Sequence, residues 1–355
     1  MKRRKIKVKK NIFKKIVAVA GVASMLLLSA CGNNNTAAGS QAGASSTENK
    51  ELTKITLCLE WTPNTNHTGF YAAQALGYYK EAGLEVEIVQ PPEDGATAMC
   101  AAGQAQFAIA AQDTMVAALA LDEPLEISAV AALIQHNTSG IISRQGDGIT
   151  TAKGLEGKRY STWDSPIELA TLKNLVEKDG GDFSKVKLIP NNITDEPGAL
   201  KANQTDAIWV FYGWGAINAK EMNVPCDFWF FKDLNPVFDY YTPIIIGNDK
   251  YMKENPEITK AFLSATAKGY EYAISNPKDA ADKLIAGDTT GSLKGSESLV
   301  YASQEYLSKE YKADAKAWGV IDADRWNNFY KWLFDNKLCD KDLTGKGFTN
   351  DYLPQ

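Results

Sequence analysis

Strand-like and helix-like segments take turns along the chain from Ile55 onward. A polypeptide written this way buries its apolar faces in α/β layers. Ile55–Leu59, Leu84–Val89, Phe107–Ala110 and Ile127–Leu133 read as strands, with helix-like stretches at Phe70–Tyr79, Gly95–Ala102 and Thr114–Leu121 between them. A turn over Thr151–Lys158 opens a second set, with strands at Arg159–Thr162, Val186–Ile189 and Ala207–Tyr212 and helices at Ile167–Lys178 and Pro197–Ala202. Beyond Tyr241–Ile246 the pattern is helical almost to the end, at Pro256–Ser275, Ser298–Tyr311 and Ala323–Asn336. In the last of these, Trp326, Phe329, Tyr330 and Phe334 recur at helical spacing and read as a core stripe. The roughly 305 residues involved exceed what one core usually supports, so two lobes are expected.

The N-terminus follows a different logic. Residues 2–15 carry nine Lys or Arg and no acid, and Ile16–Ala30 is wholly apolar or small. A basic segment, a short apolar core and small residues ahead of a cut are the marks of an export signal. That apolar run is shorter than the roughly 20 residues a spanning helix needs. The Leu28-Ser29-Ala30-Cys31-Gly32 segment resembles the lipobox of bacterial lipoproteins, which implies cleavage before Cys31 and acylation of its thiol. Residues 32–50 are a Gly/Ser/Asn/Ala tract with little to bury, and read as a flexible tether.

The chain holds 38 basic and 43 acidic residues. Loss of the nine basic residues in the leader leaves 29 against 43, a net charge of −14. So acidic a domain argues against a nucleic-acid partner, which demands a basic surface. Cys58, Cys100, Cys226 and Cys339 lie far apart without CxxC spacing, so no zinc or redox motif is indicated. They read as buried free thiols, although an oxidising compartment also permits a disulfide.

From residue 53 to about 275 the chain resembles the bacterial binding proteins for thiamine pyrimidine precursors. More loosely, it is similar to the wider group of sulfonate and nitrate binders and yeast-type thiamine pyrimidine synthases. The residues that carry the resemblance are Leu59-Glu60-Trp61-Thr62-Pro63-Asn64-Thr65-Asn66-His67-Thr68-Gly69-Phe70-Tyr71, Gly77-Tyr78-Tyr79, Gly83-Leu84, Gly103-Gln104-Ala105-Gln106-Phe107, Leu155-Glu156-Gly157-Lys158 and Asn255-Pro256. The resemblance implies a two-lobed periplasmic-binding-protein fold of type II, α/β in class, with two hinge crossings. They are placed near Ser143–Thr150 and Tyr241–Ile246. On this reading residues 1–30 are the leader, 31–52 the tether, 53–146 with 244–355 one lobe, and 147–243 the other. It implies a monomeric solute-binding component of an ABC-type importer, lipid-anchored through Cys31 on the extracytoplasmic face. Its partners would be an aminopyrimidine, a permease and its ATPase.

Strand ends of open α/β sheets are where ligands bind, and the candidate residues follow from that. Trp61 offers a flat face, Asn64 and Asn66 offer amides, and His67 can donate or accept. The alternative for Asn64 and Asn66 is a role in the strand-to-helix turn alone. Gln112 and Asp113 follow a second strand, where Asp113 reads better as a helix cap. In the second lobe Trp163 and Asp164 follow a strand, Ser165 reads as the cap of the next helix, and Glu168 is a weaker candidate. Tyr212, Trp214, Asp239 and Tyr241 complete the set. His136 reads as structural or solvated. A carboxylate such as Asp164 can pair with the amino group and adjacent ring nitrogen of an aminopyrimidine. Such a lining suits a flat heteroaromatic ring better than an anion, which favours basic residues and helix N-termini.

Riboflavin, a sulfonate or nitrate are alternative solutes. A synthase-like enzyme is the alternative of a different class. The synthases use a lysine whose position falls here at about Ala110, and a cysteine-rich iron motif whose counterpart Asn235–Pro243 has no Cys. With no HExxH, GxSxG or phosphate loop, no cofactor, metal or catalytic residue is expected.

Overall fold

A computed structural model describes residues 51–354. The leader, Cys31 and all but the last two residues of the tether lie outside the described residues. Within them the chain builds two five-stranded sheets. The first contains β1 (Thr53–Cys58), β2 (Leu84–Val89), β3 (Phe107–Ala110), β4 (Ile127–Ala132) and β10 (Ile244–Asn248), ordered β2-β1-β3-β10-β4. The second contains β5 (Ser139–Arg144), β6 (Arg159–Thr162), β7 (Lys187–Pro190), β8 (Ala207–Phe211) and β9 (Cys226–Phe230), ordered β7-β6-β8-β5-β9.

The two sheets share one topology. In the first, β1 runs parallel to β2 and β3, while β10 enters antiparallel between β3 and β4. In the second, β6 runs parallel to β7 and β8, while β5 enters antiparallel between β8 and β9. Central strands such as β3 and β10 are buried along their whole length, which is why they read as unbroken apolar runs rather than alternating ones.

The chain passes from the first sheet to the second between Ala132 and Ser139, and returns between Phe230 and Ile244. The outward crossing therefore lies ahead of the Ser143–Thr150 segment expected from the sequence, and residues 139–144 belong to the second sheet rather than the first lobe. The strand β5 escaped notice because only Ile141 and Ile142 stand out in it, and its partners arrive more than 60 residues later.

The two crossings are tied together. Asp239 Oδ1 accepts the Asn137 backbone N–H (2.8 Å), and Oδ2 accepts from His136 Nδ1 (2.7 Å). The Asn137 carboxamide donates to the Phe238 carbonyl (2.9 Å) and accepts from the Ser139 N–H (2.9 Å). The hydrogen bond to Asp239 raises the His136 pKa above the ordinary histidine value, and Asp314 Oδ1 takes its other nitrogen (3.0 Å).

Helices cover both sheets, and the local chemistry explains their ends. The stretch expected as one helix over Phe70–Tyr79 is broken: helix Thr68–Ala75 stops, and Gly77 takes a left-handed φ of 79° before a new turn, Tyr78–Glu81. Only glycine adopts that conformation without strain. Helix Pro166–Lys178 begins with Pro166 in its first turn, and the Glu168 carboxylate accepts the Ser165 N–H (3.2 Å). Glu168 also accepts from Tyr160 Oη (2.6 Å) and Thr162 Oγ1 (2.8 Å), so it is a buried structural acid.

Helix Pro256–Ser275 packs on the first sheet, with Phe262 stacked on Phe107 at 4.2 Å and Tyr270 stacked on Trp318 at 4.4 Å. Helix Ala323–Asp335 buries Trp326, Phe329, Tyr330 and Leu333 but leaves Phe334 exposed, so the expected core stripe loses its last member. Among the described residues Cys58, Cys100 and Cys339 are buried free thiols, Cys226 is a half-buried one, and no helix is long and apolar enough to cross a membrane.

Helices Thr68–Ala75 and Pro256–Ser275 approach closely because both carry glycine at the contact. A Cβ on Gly269 would lie 2.0 Å from the Gly69 carbonyl oxygen, a backbone atom that cannot move aside alone. Gly269→Ala is expected to destabilise the protein by about 1–3 kcal/mol through overpacking, read as a fall in the midpoint of urea unfolding.

Candidate functional site

The carboxyl ends of β1 and β3 face those of β6 and β8 across a cleft between the sheets, and two adjoining cavities occupy it. The first, about 350 Å3, is lined by Glu60, Trp61, Asn64, Thr65 and Asn66 from the loop after β1, by Phe211, Gly213 and Trp214 at the end of β8, and by Thr138 and Leu307. The second, about 460 Å3, is lined among others by Glu60, Asn66, Ala110, Asp113, Trp163, Trp209, Phe211 and Tyr240. Glu60, Asn66 and Phe211 line both, so the two cavities are neighbouring parts of one cleft.

Its walls are aromatic and open. Trp61 is 60% exposed, Trp163 51% and Phe211 42%. Apolar rings left in solvent at the edge of a packed core serve no packing purpose, and together they form an apolar patch of the kind that marks a binding groove. Trp163 rests edge-on against Trp209 (5.4 Å, 62°), and Tyr240 stacks on Phe329 (4.1 Å, 20°). Helix Ala323–Asp335 thus backs the floor of the second cavity.

Two carboxyl groups face this aromatic space. Glu60 Oε2 accepts from His67 Nε2 (2.9 Å). The His67 tautomer is set by its other nitrogen, because Nδ1 accepts the Asn64 backbone N–H (3.2 Å) and so carries no proton. Asp113 stands in the first turn of helix Gln112–Leu119, half-buried against the second cavity. Desolvation pushes its carboxyl up to about 6, against backbone N–H bonds that pull the other way. Neither cavity has a Lys or Arg among its lining residues.

The structure divides the residues expected from sequence. Trp61, Asn64, Asn66, Asp113, Trp163 and Trp214 all line the cleft. Asn64 does so while serving the turn: its Oδ1 accepts the Asn66 N–H (2.9 Å) and its Nδ2 donates to the Thr62 carbonyl (3.0 Å). Asp113 is not the cap of its helix, a place taken by Ala111 with Thr114 Oγ1 accepting its N–H (3.2 Å).

The other candidates fall outside. His67 is fully buried and acts behind Glu60. Gln112 is fully buried too, its amide donating to the Trp326 carbonyl (2.8 Å) and accepting the Tyr241 N–H (3.0 Å). Tyr241 is 1% exposed, with its hydroxyl taken by the Asp322 N–H (2.8 Å). Asp239 clamps the crossings. Asp164 is exposed, adopts a φ of 62° and lines neither cavity.

Tyr212 turns away to pack on Phe228 (5.1 Å) and Tyr306 (4.8 Å). Side chains alternate along a strand, so Trp209 and Phe211 share the cleft face of β8 while Val210 enters the opposite apolar cluster. Ending the strand one residue late in the sequence reading put Tyr212 in the place that Phe211 holds. Glu60, Phe211, Trp209 and Tyr240 were missed. The signal for Glu60 was present, as a charged residue closing an otherwise apolar strand.

The paired sheets with one exchanged strand each define the two-lobed periplasmic-binding-protein fold. The alkanesulfonate-binding protein SsuA of Xanthomonas axonopodis pv. citri bound to MOPS superposes with a TM-score of 0.61 at 11% identity, covering 84% of this chain and 99% of that one. Residues 64–280 match the family model described as NMT1/THI5 like, and the chain belongs to that family. The formylaminopyrimidine-binding protein of Halalkalibacterium halodurans is 27% identical over 318 residues, covering 87% of this chain and 90% of the relative. The 4-amino-5-hydroxymethyl-2-methylpyrimidine phosphate synthase of Legionella pneumophila is 26% identical over 314 residues, covering 85% and 92%.

The geometry reverses the expected roles of two aspartates: Asp113, read as a helix cap, lines the cleft, and Asp164, read as the partner of the ring, does not. Trp61→Ala and Asp113→Asn are each expected to weaken binding of an aminopyrimidine about 10-fold or more with the fold intact. Asp164→Asn is expected to leave it within about twofold. Isothermal titration with circular dichroism as the folding control checks all three.

Proposed function

We propose that this protein is the extracytoplasmic solute-binding component of an ABC-type importer, anchored by a lipid on Cys31, and that it captures an aminopyrimidine precursor of thiamine. The observation that carries this reading is the pair of open tryptophans, Trp61 and Trp163, in a cleft where, among the described residues, the charged lining side chains are the acids Glu60 and Asp113. A planar ring between aromatic walls gains about 0.5–1.5 kcal/mol per stacked pair beyond its buried area. Carboxyl groups at its edge match the donors of an exocyclic amino group, and their charge opposes a sulfonate, nitrate or phosphate. A relative that binds formylaminopyrimidine supports the same solute class.

The synthase relatives support an enzyme of the same family as the competing reading. Ala110, at about the place where the resemblance puts their lysine, lines the second cavity with a methyl group rather than an amine. That favours capture without chemistry. Native mass spectrometry of the purified protein should show a co-purified mass matching a 4-amino-2-methylpyrimidine. A thermal-shift panel should rank pyrimidines above riboflavin, alkanesulfonates and the phosphate ester of the same pyrimidine. A sulfonate or flavin at the top of that ranking would overturn the solute, and pyrimidine phosphate synthesis by the purified protein would overturn the binder reading.

The carboxyl of Asp113 also sets a pH dependence. An acid and an aminopyrimidine form their two-point pair with one proton shared between carboxyl and ring nitrogen. In the empty cleft Asp113 is deprotonated above about 6, and the free base is neutral there, so forming the pair takes up a proton. Linkage then makes affinity fall as pH rises from 6.5 to 8.5, by up to about tenfold per unit. Titration in buffers of different ionisation enthalpy should report that uptake, and Asp113→Asn should flatten the pH profile.

A further inference from the structure

Helix Glu297–Glu310 runs beside the first cavity and touches both of its walls. Its Ser303 is fully buried. The Ser303 hydroxyl bonds to the Gly213 carbonyl, which has no proton to give, so Ser303 is the donor there. Its oxygen lies 2.5 Å from Thr65 Oγ1, which must therefore donate in that second bond. Tyr311 Oη donates in turn to the Thr65 carbonyl (2.5 Å).

Thr65 belongs to the loop after β1 in the first lobe, and Gly213 to the turn after β8 in the second, yet both line the Trp61–Trp214 cavity. Leu307, one turn further along the helix, lines that cavity too and fills the space where a Cβ on Gly213 would fall. Tyr306 packs on Tyr212 of the second lobe at 4.8 Å. On the same helix Val300 joins an apolar cluster with Tyr71, Ala281 and Leu284 of the first.

We propose that Ser303 is a positioning residue for ligand capture: one buried hydroxyl that joins the two walls of the aromatic cavity and makes helix Glu297–Glu310 a third, breakable connection between the lobes. The two crossings are covalent and survive any hinge motion. The bond from Ser303 to Gly213 is not: a motion that draws Gly213 away from the helix breaks it and exchanges it for bonds to water. The hydroxyl therefore favours the arrangement in which the walls carrying Trp61 and Trp214 enclose one cavity. Loss of the hydroxyl should open the empty protein and shorten the life of the complex. The dissociation arm of the test rests on the aminopyrimidine reading, and the arm without ligand does not.

The experiment compares Ser303→Ala, Ser303→Cys, Thr65→Val and the double variant Thr65→Val/Ser303→Ala with the wild type. Small-angle X-ray scattering of the ligand-free proteins gives the radius of gyration. Stopped-flow tryptophan fluorescence gives the dissociation rate of 4-amino-5-hydroxymethyl-2-methylpyrimidine. Each single variant is expected to show a larger radius and dissociation about tenfold faster. The double variant should be no worse than either single one, because both cut the same chain of bonds. Wild-type radius in Ser303→Ala overturns the proposal. So do wild-type values in Ser303→Cys, which would assign the effect to volume, and additive effects in the double variant. Should the wild type not bind the pyrimidine, the solute reading falls and the scattering comparison still decides the role of Ser303.

Discussion

Asp239 is the point on which the placement of the two lobes depends. Its carboxylate accepts from the backbone of Asn137 and from the ring of His136, both on the outward crossing, while it sits on the returning one. Two segments about 100 residues apart are held side by side by hydrogen bonds to a half-buried charge, which are stronger than neutral ones. Asn137 adds a second tie through the Phe238 carbonyl. With the crossings fixed to each other, the strand ends of both sheets face one another. A cleft lined from both sides is the geometric consequence.

Within that cleft, chemistry follows from which side chains the strand ends release. The loop after β1 spends most of its polar groups on itself: Asn64 serves the turn, and His67 serves Glu60. What remains free to meet a ligand is the face of Trp61, the Glu60 carboxylate and Asn66. The second lobe contributes rings from β8 and Trp163, and the first adds the Asp113 carboxyl. A site of rings and acids, with no basic side chain among the described lining residues, suits a flat molecule that donates hydrogen bonds from its edge.

The fold alone would not have led to that conclusion. Sulfonate binders and pyrimidine phosphate synthases are both similar to this chain, so the architecture accommodates anion binding and catalysis as well as capture of a neutral base. The difference lies in individual positions. A methyl group at Ala110 and acids at Glu60 and Asp113 define what this cleft can hold more sharply than the sheets that carry them.

The sequence by itself determined the layers: β2, β3 and β6 stand where short strand-like segments and their flanking turns placed them, and helix Pro256–Ser275 was legible to the residue. It also revealed Trp61, Trp163 and Trp214 as cleft residues, because a large ring just past a strand end has no local use. Tertiary structure decided the rest. Tyr241 and Gln112 look like strand-end donors until the C-terminal helix covers them, and the role of Asp239 appears only when the crossings meet. The facing of Phe211 rather than Tyr212 depends on where β8 ends, which its pairing with β5 sets. Local periodicity is written into neighbouring residues, whereas burial and partnership depend on segments from 64 positions away, as for β5 and β8, to 218, as for Gln112 and Tyr330, and only the folded chain brings those together.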